Sequence, residues 1–336
     1  MNERAMKDGA ALVFLGCGRV TRTHSRTLAS VAPDLPLFYA SRDAEKAREY
    51  CRRFRGAGWF ASYEDALRDD RSTIALVATP PATHFDLTFT GLAAGRHVIV
   101  EKPAFLRASD CELVRHAAHA AGRQVMVAEN YAYKPLATHL RRVIAQRTLG
   151  EPRLIHINAL RTQDPTGWRA DAGLAGGGAL FEGGIHWIGF LADLGLAVRR
   201  VTAHRAGDQT GIDLTWLVTF EYENGTVGQL WYSWEIPSLL RGLRLSSIYG
   251  TAGTLTFETN GLFVLEAGRR RRLTLPAVDD IRGYRAMFLD FLDAMRINRE
   301  PRYTLGHAQR DLALLEEMTC PRTRLQWAVD HSPLHG

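Results

Sequence analysis

Short apolar runs alternate with amphipathic stretches along the first part of the chain. Ala11 to Leu15 is apolar throughout and is closed by Gly16-Cys17-Gly18; a segment of helical period follows from about Val20 to Ser30. A second apolar run, Leu37 to Ala40, leads into a charged helical stretch from Ala44 to Phe54. Further runs at Ile74–Ala78, His97–Val100 and Gln124–Ala128 are separated by helical patterns at about Ala82–Ala94 and Ala108–Ala121. Strands buried on both faces need continuous apolar runs, and repeated switching between the two periods marks βαβ units. The pattern predicts an α/β chain whose residues 10–129 form a doubly wound parallel sheet of the Rossmann kind.

Beyond that segment the pattern changes to alternation with period two. Arg153–Leu160, Val198–His204, Thr215–Tyr222, Thr226–Trp234, Leu243–Tyr249 and Gly253–Glu258 read as strands, and Asn224-Gly225 between two of them is a hairpin signal. Residues 130–336 are predicted to form a C-terminal α/β domain with a large, mostly antiparallel sheet. Helical segments at about Tyr284–Met295 and His307–Met318 close it, with Pro301 and Gly306 marking the break. Trp216, Trp231, Tyr232 and Trp234 read as packing or subunit-interface residues. An extended apolar sheet face predicts a homodimer or homotetramer.

Composition narrows the classes. The chain has 336 residues, 46% of them hydrophobic, without an apolar run long enough to span a bilayer. No apolar secretory segment precedes the first strand, so a cytoplasmic protein is expected. Cys17, Cys51, Cys111 and Cys320 lack metal-ligand spacing, which predicts neither a metal nor a disulfide framework. The net charge of +6 is spread among interspersed acidic residues, without interleaved aromatics, and does not suggest nucleic acid. The run Arg269-Arg270-Arg271-Arg272 reads as a solvated hairpin tip entering a strand.

The glycine turn brings the first chemistry. Gly16 permits a tight turn, and Gly18 lets the backbone approach a pyrophosphate that rests on the free amides of a helix opened by Arg19 and Val20. Cys17 lies between them, and Thr21 stands where a third glycine is usual. At the end of the second strand a carboxylate would bind the ribose 2′-hydroxyl of NAD, but the chain has Ser41-Arg42. A hydroxyl and a guanidinium suit a 2′-phosphate, so NADP(H) is expected in preference to NAD(H). Asp43 reads as a helix cap. The strand ending at Val100 runs into Glu101-Lys102-Pro103, which places Lys102 where parallel sheets face their ligands.

These motifs carry a family resemblance. Gly16-Cys17-Gly18 with His24, Val77-Ala78-Thr79-Pro80-Pro81-Ala82-Thr83-His84, Glu101-Lys102-Pro103, Ala128-Glu129-Asn130-Tyr131, and Gly176-Gly177-Gly178-Ala179 leading to Gly184-Ile185-His186 occur in that order. The chain resembles the glucose-fructose oxidoreductase and inositol dehydrogenase family, Gfo/Idh/MocA. The resemblance implies that the C-terminal sheet covers the nicotinamide, that Lys102 holds the substrate oxygen and that His186 exchanges the proton. It places Thr79 and Pro80 against the nicotinamide ribose, and His84, Glu101 and Asn130 on the cofactor side. His24, His84 and His97 read as packing or backbone-contact residues rather than proton carriers. Glu182 takes the place of the family's usual Asp; if the stretch is helical, it shares a face with His186 four residues on and can orient the imidazole. Trp168, Arg169, Tyr131 and Tyr133 are substrate-side candidates, while an Arg169–Asp171 pair that only fixes the loop is the competing reading for Arg169.

The resulting expectation is an NADP(H)-dependent oxidoreductase. It would interconvert a hydroxyl and a carbonyl on a sugar, polyol, sugar derivative or cyclic diol. Two alternatives stand beside it: a glycoside-cleaving enzyme using tightly held cofactor for transient oxidation, and a non-catalytic dinucleotide-binding sensor or scaffold.

Overall fold

The computed structural model describes residues 10–207, 211–238, 242–268 and 271–319. The first six strands are β1 (Leu12–Leu15), β2 (Leu37–Ala40), β3 (Gly58–Phe60), β4 (Ile74–Val77), β5 (His97–Val100) and β6 (Val125–Val127). They form one parallel sheet in the order β3-β2-β1-β4-β5-β6. Helices α1 (Arg19–Val31), α2 (Ala44–Phe54), α3 (Tyr63–Arg68), α4 (His84–Ala93) and α5 (Ala108–Ala121) connect them. β1, β2 and β4 are buried along their whole length, as their unbroken apolar runs require. The strand order reverses between β1 and β4, and in such sheets ligands lie at the carboxyl edge of that crevice. The β3–α3 pair has no counterpart in the hydrophobic pattern, because β3 is a three-residue edge strand that is only partly buried.

A second, eight-stranded sheet has the order β14-β13-β12-β11-β7-β10-β9-β8. Its strands are β7 (Pro152–Leu160), β8 (Val198–Ala206), β9 (Thr215–Tyr222), β10 (Val227–Ser233), β11 (Leu245–Gly250), β12 (Gly253–Glu258), β13 (Val264–Ala267) and β14 (Arg271–Thr274). All pairings are antiparallel except β7 with β10. Gly225, at φ +80°, closes the β9–β10 hairpin that Asn224-Gly225 predicts. β13 and β14 also pair as a hairpin; Arg269 and Arg270 lie outside the described residues, as does Cys320.

The remaining helices are α6 (Pro135–Ala145), α7 (Ala172–Ala175), α8 (Ile185–Ala192), α9 (Tyr284–Ile297) and α10 (Leu305–Thr319). The last two return to the first sheet's helices. His24 of α1 meets Tyr284 and Phe288 of α9 edge-on, with ring centroids 5.5 and 5.0 Å apart. The Ala108 amide opening α5 donates to Glu316 of α10 at 2.8 Å. No described helix is long and apolar enough to cross a membrane. Among the described residues no group of His, Cys, Asp and Glu side chains is placed to hold a metal ion.

Candidate active site

The carboxyl ends of β1, β4, β5 and β6 converge on one crevice. After β1, Gly16 turns at φ +112°, and a Cβ there would lie 2.6 Å from the Ala78 carbonyl oxygen, so only glycine fits. A Cβ on Gly18 would meet nothing, which leaves its backbone open to a ligand ahead of α1. Thr21 is buried and donates to the Gly16 carbonyl at 2.7 Å, while the Gly18 amide reaches its hydroxyl at 3.4 Å. The residue in the third glycine's place thus braces the turn from inside. Arg19 and Val20 form the first turn of α1. The Cys17 thiol donates to the Ala40 carbonyl at 3.6 Å, and burial pushes its pKa up to about 12, so it is unreactive.

At the end of β2 the Ser41 hydroxyl accepts the Asp43 amide at 3.1 Å, and Asp43 caps α2 by accepting the Lys46 amide at 3.2 Å. Arg42 is exposed, and its charge acts on the Tyr63 hydroxyl of α3. At the end of β4, Thr79 and Pro80 are half-buried at the crevice and are held by the Thr83 hydroxyl, 2.7 Å from Thr79 Oγ1 and 2.9 Å from the Pro80 oxygen. His84 is fully buried with its ring nitrogens against the backbone oxygens of Thr79 and Pro103, both at 2.9 Å. It staples the two loops together rather than facing the crevice.

Glu101, also buried, does the same for α1. Its carboxylate accepts from the Lys102 amide at 3.2 Å and from His24 Nε2. Burial pushes its pKa up, but the His24 hydrogen bond and charge, with Lys102 beside it, outweigh burial and hold it below the usual carboxylate range. The expectation that His24 only packs or touches backbone is therefore corrected: it ties α1 to the loop carrying Lys102.

Lys102 reaches across to the second domain. Its ammonium donates to the Glu182 carbonyl at 2.7 Å and lies 3.4 Å from Glu182 Oε1. Arg169 clamps the same oxygen through Nε at 3.1 Å and Nη2 at 3.0 Å. Burial alone would raise the Glu182 carboxyl; the charges of Lys102 and Arg169 lower it to about 2. An ammonium has three N–H donors, so one on Lys102 is left over after the two contacts to Glu182.

The predicted Glu182–His186 pairing does not form. Leu180–Gly184 is a π-helical turn that joins α8 at Ile185, and the wider turn takes the two side chains off the common face of an α-helix. Gly183 is required there because a Cβ would collide with the Tyr232 hydroxyl. The carboxylate that orients His186 is Glu129, at the end of β6, whose two oxygens accept from Nδ1 at 2.7 and 2.8 Å. With its proton on Nδ1, the neutral imidazole presents Nε2 as a base. Burial lowers the His186 pKa against the opposing pull of Glu129.

The substrate-side candidates divide. Tyr131 stacks on His186, with centroids 4.3 Å apart and planes at 11°. Trp168 lies under the Arg169 guanidinium at 4.3 Å. The Arg169–Asp171 pair is not made, because Asp171 caps the Gly173 and Leu174 amides at 2.9 and 3.2 Å. Tyr133 is buried away from the crevice, donating to Asp290 of α9 at 2.7 Å, and Asn130 donates to the Arg282 carbonyl at 2.6 Å. Neither side chain serves the site directly. Sequence reasoning missed the role of Glu129, although it ends β6 at the same sheet edge as Lys102, and that position was the available signal.

The chain matches two family profiles, "Oxidoreductase family, NAD-binding Rossmann fold" over residues 11–129 and "GFO/IDH/MocA C-terminal domain" over residues 137–256. The chain belongs to the GFO/IDH/MocA oxidoreductase family. Trans-1,2-dihydrobenzene-1,2-diol dehydrogenase of Sus scrofa is 29% identical over 64% of this chain and 63% of its own length. The match thus spans a little under two thirds of that relative. Aldose-aldose oxidoreductase from Caulobacter crescentus, in complex with glycerol, shares the fold at a TM-score of 0.81 with 21% identity, covering 91% of this chain and 95% of its own. Levoglucosan dehydrogenase in complex with NADH and levoglucosan superimposes at 0.80 with 20% identity, covering 92% and 96%.

Proposed function

We propose that this family member is an NADP(H)-dependent oxidoreductase interconverting a hydroxyl and a carbonyl on a sugar, polyol, sugar derivative or cyclic diol. The observation that carries the reading is the convergence of Lys102 and the Glu129-oriented His186 at the carboxyl edge of a dinucleotide-type sheet. Residues 10–129 would bind the dinucleotide and residues 130–336 the substrate. Gly16, Gly18, Thr79 and Pro80 fit a dinucleotide, since the space beside Gly18 is open and the turn leads directly into the N-terminus of α1. The bound nicotinamide would supply the hydride acceptor or donor.

Every other step belongs to this chain. Lys102 donates its free N–H to the substrate oxygen and stabilises negative charge developing there. In oxidation, His186 Nε2 accepts the hydroxyl proton, Glu129 stabilises the resulting imidazolium, and reduction runs these transfers backwards. Glu182 and Arg169 fix the lysine's direction. Arg42 and Ser41 favour the 2′-phosphate, which makes reduction with NADPH the favoured direction.

The test is a paired titration of cofactor-stripped protein with NADPH and NADH, followed by turnover assays on carbonyl sugars. Tighter NADPH binding, lost preferentially in Arg42→Asp, is expected; equal losses for both cofactors would remove the NADP(H) preference. Lys102→Ala should abolish turnover with cofactor binding nearly intact, and retained turnover would remove the lysine from the mechanism. We further propose that the open face of the eight-stranded sheet pairs with a second copy of this chain, as a dimer or tetramer.

A further inference from the structure

Four basic side chains from separate parts of the second domain gather around Tyr131. Lys134 precedes α6, Arg161 follows β7, Arg244 precedes β11, and Arg282 lies in the loop before α9. The Lys134 ammonium sits 4.5 Å from the Tyr131 ring centroid, and that ring stacks on His186. β7 and β11 are neighbours, so Arg161 and Arg244 share one end of the sheet. The charges of Arg161, Arg244 and Arg282 all act on the Tyr131 hydroxyl.

Against these four cations stand two carboxylates, Glu258 and Glu129, and Glu129 is already engaged by His186. Among the described residues, none of the four forms an ion pair with a carboxylate. Arg244 is 9% exposed; Nη2 reaches Asn260 Oδ1 at 3.1 Å, and its buried Nε has no partner. Glu258 acts on both Lys134 and Arg244, but its carboxylate is occupied by the Asn260 and Leu262 amides at 3.0 and 3.2 Å and by the Asn260 side chain at 3.0 Å. Burial, with Arg244 and Arg282 nearby, lowers Lys134 to about 8, although Glu258 and Glu129 pull the other way. Lys134 and Arg244 are buried, and buried cations are costly unless an anion joins them.

We propose that this cluster binds an anionic group of the substrate, a carboxylate or a phosphate ester, so that the enzyme acts on an acidic carbohydrate rather than a neutral polyol or diol. The inference deepens the oxidoreductase reading and depends on it for the position of the reacting carbon, one aromatic ring away at His186. Guanidinium groups pair with both kinds of oxyanion through charge-assisted, often bidentate hydrogen bonds.

The test is calorimetric titration of the intact chain with D-glucuronate, D-glucose 6-phosphate and D-glucose. At least one anion should bind about tenfold or more tightly than glucose, with affinity falling as salt is raised. Preference for glucuronate identifies a carboxylate, and preference for the phosphate ester identifies a phosphate. Arg161 and Arg282 are exposed. Arg161→Gln and Arg282→Gln should therefore keep the fold, and each should weaken the anion about fivefold or more while NADPH affinity is unchanged. Equal binding of the three sugars, no anion binding, or anion affinity indifferent to both substitutions would overturn the proposal. Anion binding without any turnover would leave the cluster standing and remove the oxidoreductase reading; turnover of neutral sugars without anion preference would do the reverse.

Discussion

His186 can serve as a base because Glu129 decides which ring nitrogen carries the proton. Glu129→Gln removes the charge that raises the imidazole pKa, so the acidic limb of the pH–rate profile for oxidation should move to lower pH. Turnover should fall by an amount smaller than the roughly 10²–10⁴-fold expected for His186→Ala. A profile that does not move would show that Glu129 only packs. Glu182 makes a different prediction, through stability. Its pKa of about 2 in the fold lies below the ordinary glutamate value of about 4.5, so its contribution is complete above about pH 4.5 and is lost as pH falls towards 2. The size is on the order of 3 kcal/mol. Urea unfolding between pH 6 and 3 should show that loss in the parent and a reduced loss in Glu182→Gln. The sequence singled out Lys102 and His186 as candidates by resemblance. The Glu129 partner could not, because 57 positions separate it from His186.

At the scale of elements, the β1–α1 turn shows how a departure from a motif can be compensated. Thr21 replaces a glycine yet restores the turn by hydrogen-bonding the Gly16 carbonyl from within the helix. Thr21→Val should lose about 1 kcal/mol and weaken dinucleotide binding, measurable by denaturation and by cofactor titration. Gly16→Ala should be worse, since it combines φ +112° with a Cβ 2.6 Å from the Ala78 oxygen. The strain alone is about 1–3 kcal/mol, so Tm should fall and cofactor binding should disappear. An unchanged Tm would mean that the turn can relax. The long buried strands were legible because burial on both faces leaves an unbroken apolar run. β3 and the π turn at Leu180–Gly184 were not, since a three-residue strand carries no period and a π turn is selected by its packing.

At the scale of the whole molecule, the second sheet leaves one face open. Leu154 and Tyr249 stand opposite each other across β7 and β11, and they are 55% and 44% exposed; Trp231 and Leu245 extend the patch at 43% and 47%. Replacing Trp231 and Leu154 together by Lys should convert the proposed oligomer to monomer in sedimentation, with cofactor affinity retained. An unchanged mass would place the interface elsewhere. The sequence by itself determined the α/β order with a parallel sheet ahead of a mostly antiparallel one, the glycine turn and the place of Lys102 and His186 on their elements, because local period and backbone freedom are properties of neighbouring residues. Only the tertiary structure decided which carboxylate meets which base. It joined Glu129 to His186, Glu182 to Lys102 and Arg169, and Glu101 to His24. Those pairings depend on how far apart separate strand ends lie and how much water is excluded between them, and neither is written in local pattern.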